Sequence, residues 1–138
     1  MTVTSPIPNE SAHHEVVVNW YRRSKIGRKL ICQLSSTLNK SLEQVFGYHM
    51  LVIGADIGLE LSRIGKTQSI VRLTGTIDSS ASFQPIIGTS NELPFAADSI
   101  DALIVCHALD TSPWPHDVLR ECHRVLVPNG HLFVVAIN

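Results

Sequence analysis

Cysteine is scarce in this chain of 138 residues: Cys32, Cys106 and Cys122 stand far apart, and no two form a C-x-x-C pair. An odd, dispersed set argues against both a disulfide framework and a thiolate zinc site. The seven histidines are scattered too, apart from His13-His14. His116 and His123 are spaced to share a helix face, but no third ligand accompanies them, so no metal site is expected. Neither sign of charge dominates, since 11 Lys and Arg against 12 Asp and Glu leave −1. Bulk electrostatics therefore name no partner. No apolar run approaches the roughly 20 residues a membrane helix needs, so no membrane partner is expected. The opening MTVTSPIPNESAHHE lacks the basic head and apolar stretch of a secretory signal, and a reducing, cytoplasmic setting is the default. Residues 1–15 read as a loose, polar lead-in.

What remains is enough chain for one domain, residues 16–138, with the 44% hydrophobic and 17% charged content of an ordinary folded protein. Ile26, Leu30, Leu34, Leu38, Leu42 and Phe46 recur on one helical face, which predicts an N-terminal helix over about 24–46, stopped by Gly47. The core, 48–138, begins with the short apolar run His49–Gly54, expected as a buried strand. A short helix over about Leu59–Ile64 follows. Ser69–Thr74 carries a weak strand signal, and GTIDSSAS is a loop. Phe83–Ile87 is expected as an edge strand, because Pro85 cannot donate to a ladder. Ile100–Cys106 (IDALIVC) has the clearest buried-strand signal. Pro113 or Pro115 can open a helix, on which Val118, Leu119, Cys122, Val125 and Leu126 form an apolar stripe. Pro128-Asn129-Gly130 ends it, and HLFVVAI is the last strand.

Apolar strands alternating with helices or loops imply an α/β, doubly wound, Rossmann-like parallel sheet of about five strands. Ligands of such sheets bind beyond the carboxyl ends of the strands, where the strand order reverses. The loops Gly54–Gly58 and His107–Thr111 would then face one another across that crevice.

From about Trp20 onward the chain resembles the core of class I S-adenosylmethionine-dependent methyltransferases, the type 11 group in particular. The stretch ELPFAADSIDALIVCHALDTSPWPHDVLRECHRVLVPNGHLFVV has the family's order of features: Leu93-Pro94-Phe95, a turn with Asp98 and Ser99, a strand with Asp101 near its start, and His107 at its end. Leu119-Arg120-Glu121, Arg124-Val125-Leu126, Pro128 and Gly130 follow. The resemblance implies the methyltransferase fold and S-adenosylmethionine as cofactor. In the family, a Gly-x-Gly-x-Gly loop after the first strand lies against the methionine part of the cofactor. Glycine serves there because a side chain would block that approach or could not adopt the turn.

Aligned on LVIGADIG, Gly54 and Gly58 match the outer glycines, Asp56 stands at the middle one, and Val52 stands where the family has an acid. The cofactor-binding residues implied are Gly54, Ala55, Asp56 and Gly58, with Asp78 for the ribose hydroxyls, Thr89 at the adenine position, and His107. Asp56 either crowds the ligand or binds the cofactor amine in place of the lost acid, or simply caps the next helix. His107 is the candidate general base, although methyl transfer mainly needs in-line positioning. Asp110 and Trp114 line a substrate pocket or pack within the loop. The resemblance also implies that Tyr21 or an arginine beside it meets the cofactor carboxylate.

The family core continues past the fifth strand into a helix and an antiparallel pair, whereas this sequence stops at Asn138. Either the sheet is shortened or the chain is a fragment of a longer protein; the fragment is the expectation, with HLFVVAI left as an exposed edge open to self-association. Three functions are in view: a methyltransferase domain with a small-molecule acceptor, a non-catalytic domain that keeps the fold for protein contacts, and a nucleic-acid-associated domain. The last would use the basic cluster Arg22, Arg23, Lys25, Arg28 and Lys29, but no aromatic-interleaved basic surface accompanies it, and nucleic acid is not the expected partner.

Overall fold

The computed structural model describes residues 10–45, 47–61, 67–74 and 84–137. Two helices, α1 (Glu10–Arg23) and α2 (Lys25–Leu42), precede strand β1 (Gly47–Gly54). Strands β2 (Thr67–Thr74), β3 (Gln84–Ile87) and β4 (Ile100–Cys106) follow. A single helical turn, α3 (Ala108–Thr111), leads to α4 (Pro115–Val125) and then to β5 (Leu126–Val135). The five strands form one sheet in the order β3-β2-β1-β4-β5, with every pairing parallel. The direction of winding therefore reverses between β1 and β4, as a doubly wound sheet requires.

A parallel strand needs cover on both faces, and the two central strands have it. Leu51, Ile53, Leu103 and Val105 pack with Val118, Cys122 and Val125 of α4 on one face. Met50, Val52, Ala102 and Ile104 pack with Leu38 and Val45 on the other. A third cluster joins Tyr21, Ala55, Ile57 and Cys106, with Val17, Val18, Leu30, Ile31 and Leu34 against it. It seats both N-terminal helices over the carboxyl end of the sheet.

The Leu-Pro-Phe stretch has a structural task. Arg124 of α4 donates from Nη1 to the Phe95 carbonyl (2.9 Å) and from Nη2 to the Leu93 carbonyl (3.0 Å). The amides of Asp98 and Ser99 donate to the carbonyls of Arg124 and Val125. The turn before β4 is thus clamped to the end of α4, which sets the register of both elements.

Several expectations need correction. The loose lead-in over 1–15 is helical from Glu10 onward, and residues 1–9 lie outside the described residues. The expected helix over 24–46 is α2, ending at Leu42, with Ser24 as its N-cap (φ −88°, ψ 137°) accepting from the Gly27 amide at 2.9 Å. Helix α1 escaped notice because Val16, Val17 and Val18 are β-branched and follow one another rather than recurring at helical spacing. Packing of Val17, Val18 and Tyr21 supplies what propensity does not. Residues 59–61 of the expected short helix have no regular structure, and the rest of it lies outside the described residues. The last strand pairs from Leu126 instead of beginning at His131. A register shift between Ile100 and Ala102 absorbs Pro128-Asn129-Gly130 as an irregularity, with Asn129 at φ 66°.

Gly27 lets the two N-terminal helices cross closely. A β-carbon there would stand 2.7 Å from the Tyr21 Cα and 2.8 Å from its carbonyl oxygen, both backbone atoms. Gly27→Ala is expected to cost about 1–3 kcal/mol through overpacking. Its measure is the urea midpoint, with unchanged slope.

Candidate functional site

The loop that follows β1 and the loop that follows β4 meet at the reversal point. Gly54 (φ 99°) ends β1 and is paired with Cys106 at the end of β4. A β-carbon on Gly54 would lie 1.9 Å from the Cys106 carbonyl oxygen, and the same oxygen accepts the Ala55 amide at 2.8 Å. Glycine at 54 is therefore demanded by the packing of β1 on β4. Gly58 is different. Its φ of 86° suits glycine, but a β-carbon there would meet nothing within 4 Å. One glycine closes the corner, and the other leaves open space beside the loop.

Between them Ala55 and Ile57 point inward, 2% and 1% exposed, while Asp56 points out. The Asp56 carboxylate accepts the Gly58 amide at 3.2 Å, an Asx turn that holds the loop, and residues 57–61 after it are irregular. It also lies 3.6 Å from the guanidinium of Arg72 on β2, a buried side chain. Burial lowers the Arg72 pKa, with Asp56 and Cys106 opposing the shift. Further along, Ser35 and Asn39 of α2 fasten the loop through the Glu60 amide (3.1 Å) and carbonyl (2.8 Å).

His107, directly after β4, is 1% exposed and left-handed at φ 54°, ψ 21°. A non-glycine residue in that region costs about 1–2 kcal/mol. Both ring nitrogens are engaged: Nδ1 lies 2.9 Å from Asp110 Oδ2, and Nε2 lies 2.8 Å from the Tyr21 hydroxyl. An ionised carboxylate only accepts, so Nδ1 donates to it, and in the neutral imidazole Nε2 then accepts from the phenol. Burial raises the Tyr21 pKa, and the nearby Cys106 and Asp110 add to the rise. Helix α1 is tied to the same loop twice more. His13 Nδ1 and His14 Nε2 bond the Thr111 carbonyl (3.3 Å) and hydroxyl (3.0 Å), and that hydroxyl donates to the His107 carbonyl.

Of the residues expected to form the site, Gly54 and Ala55 meet the end of β4, which His107 follows directly, whereas Asp56 turns to Arg72 on β2 and Gly58 bonds to Asp56. Thr89 is exposed, beyond edge strand β3, where it forms an isolated antiparallel bridge with Glu92. Asp78 lies outside the described residues. Tyr21 points at His107, Trp114 stands 44% exposed at the start of α4, and the five basic residues of 22–29 are all exposed. Arg72 went unnoticed, although a lone cation amid Ile70, Val71 and Leu73 was a visible irregularity. Among the described residues no three His, Cys, Asp or Glu converge as a metal site, and no helix is long and apolar enough to cross a membrane.

Order reversal, an all-parallel sheet and a glycine corner after the first strand together define a doubly wound, Rossmann-like fold. Residues 36–134 match the type 11 family described as a methyltransferase domain, and the chain belongs to that family. It is 30% identical over 110 residues to the uncharacterized protein YafS of Escherichia coli (strain K12), covering 76% of this chain and 42% of YafS. Among solved structures it resembles a putative S-adenosyl-L-methionine-dependent methyltransferase from Methanococcus maripaludis, with TM-score 0.68, 11% identity, and coverage of 99% of this chain and 67% of that one. It also resembles YcgJ from Bacillus subtilis (TM-score 0.61, 21% identity, 74% and 49%). A third is the Haloferax volcanii complex of the Trm112 methyltransferase activator with a putative methyltransferase (TM-score 0.58, 22% identity, 72% and 50%). The chain thus spans less than half the length of the curated relative it matches.

Burial pushes the Cys106 thiol up to about 12 and the Cys122 thiol up to about 11, whereas Cys32 is exposed. Iodoacetamide at pH 8 is expected to alkylate Cys32 alone in the folded protein and all three thiols after unfolding, as read by mass spectrometry. The sign for stability follows. Unfolded thiols ionise near the ordinary value of 9.0 while the folded ones stay protonated, so stability falls as pH rises from about 9 toward 11.

Proposed function

We propose that this chain is an S-adenosylmethionine-binding methyltransferase domain that serves a small-molecule acceptor. The observation that carries the reading is the loop Gly54–Gly58, set at the reversal of strand order and open on the Gly58 side. That opening fits a ligand lying close along the backbone, as the cofactor requires. Gly54, Ala55, Asp56 and Gly58 would hold it, with Thr89 and Asp78 the expected contacts of its adenosine part. When bound, the cofactor supplies a methyl group on a sulfonium sulfur. The protein's share is to bind, align and exclude water. His107 serves this by position, because Asp110 and Tyr21 occupy both its ring nitrogens. It fixes α1 over the junction and does not act as a free base.

A second reading, contact with another protein, is favoured by the edge of β5. Strand β5 (Leu126–Val135) carries no Asp, Glu, Lys or Arg, and Leu132, Val134 and the nearby Ile137 are 40%, 46% and 66% exposed. An edge strand without charge is open to pairing with a second copy. Equilibrium sedimentation should then show a concentration-dependent dimer that Val134→Lys abolishes, and a monomer at all concentrations would dismiss the idea.

For the first reading, S-adenosylhomocysteine titrated into the protein should bind in the micromolar range. Gly58→Val should weaken it about tenfold or more, since its side chain enters the open space. Gly54 is unsuited to this test because its replacement disrupts the sheet. Absence of binding to the unaltered chain would remove the cofactor from the account.

A further inference from the structure

Arg72 is out of keeping with its place. It sits on β2, an inner strand, opposite Val52 of β1 and Pro85 of β3. Its side chain is 8% exposed, and Nη2 has no hydrogen-bond partner. A guanidinium is a planar fork of N–H donors, and leaving one buried and unmade is costly. Its ion-pair partner, Asp56, stands 3.6 Å away, beyond hydrogen-bonding distance. The Asp56 side chain is 61% exposed and accepts the Gly58 amide. A buried cation with an unused donor and a carboxylate with an open face thus lie side by side, next to the one glycine of the loop that leaves space.

Three kinds of ligand group would meet this pair differently. A simple anion would satisfy Arg72 but be repelled by Asp56. A simple cation would satisfy Asp56 and leave Nη2 unmade. A zwitterion, with an anionic and a cationic group on one carbon, satisfies both, and the guanidinium fork suits a carboxylate in particular. We propose that Arg72 and Asp56 clamp the α-amino acid end of the ligand, the carboxylate on the Arg72 guanidinium and the ammonium on the Asp56 carboxylate. This rests on the cofactor reading and assigns one end of that cofactor to two side chains. It also accounts for Val52, 1% exposed in an apolar cluster where the family has an acid. The acid of this chain stands four residues further along, beside Arg72.

The test compares S-adenosylhomocysteine with 5′-methylthioadenosine, which keeps the adenosine and the thioether but lacks the amino acid. Both are titrated calorimetrically into the unaltered protein, Asp56→Asn, Arg72→Gln and the double variant. The unaltered protein should prefer S-adenosylhomocysteine at least about tenfold. Each single variant should lose most of that preference while its affinity for 5′-methylthioadenosine stays the same, and the double variant should lose little more. Asp56→Asn keeps an acceptor for the Gly58 amide at an exposed position, so it carries the test even if Arg72→Gln does not fold. An unchanged preference in Asp56→Asn overturns the clamp and leaves the cofactor reading standing. Equal losses for both ligands make the pair a support for the loop and overturn the clamp as well. Binding of neither ligand to the unaltered protein overturns the cofactor reading and the clamp together.

Discussion

The end of β1 rests on the end of β4 with no room for a side chain, and the upper half of the molecule is arranged around that contact. The Cys106 carbonyl takes the Ala55 amide, and Gly54 yields the space. From this fixed corner the chain leaves in two directions. One leads through Ala55 and Ile57, anchored in the cluster beneath α1, to the open position at Gly58. The other leads through the left-handed His107 into α3. Because the two departures share one carbonyl oxygen, the loops on either side of the reversal point are positioned together.

Above that corner lie polar groups in an apolar setting, and each is held by a different device. His107 is satisfied within the protein, by a carboxylate on one side and a phenol on the other. Cys106 stays neutral through burial. Arg72 alone among these keeps a donor without a partner. A buried network is stable when its members are satisfied, and Arg72 is the member whose donor the protein itself leaves unmade.

How much of this was legible depended on distance along the chain. The sequence order of the strands, the edge position of β3 and a helix opened by Pro113 or Pro115 follow from local periodicity and proline chemistry; β3 lies at the edge and the helix opens at Pro115. The corner glycines were visible as a pair, but their division of labour was not. What separates Gly54 from Gly58 is the nearness of Cys106, which lies about fifty residues further on in sequence and pairs only through the sheet. Helix α1 was missed because its stability comes from burial of Val17, Val18 and Tyr21 rather than from its own composition. His107 was legible as a titratable group at a strand end. That both its nitrogens are occupied was not, since Tyr21 comes from a different layer.

The three bonds from His13, His14 and Tyr21 to the segment after β4 bear on how the protein breathes. Helix α1 cannot fray from its carboxyl end without releasing the imidazole of His107, and α3 cannot shift without pulling on α1. The two are one opening unit in the sense of local unfolding. Amide exchange in the N-terminal helix is therefore a clock for the interior, since its slowest protons report how often water reaches His107.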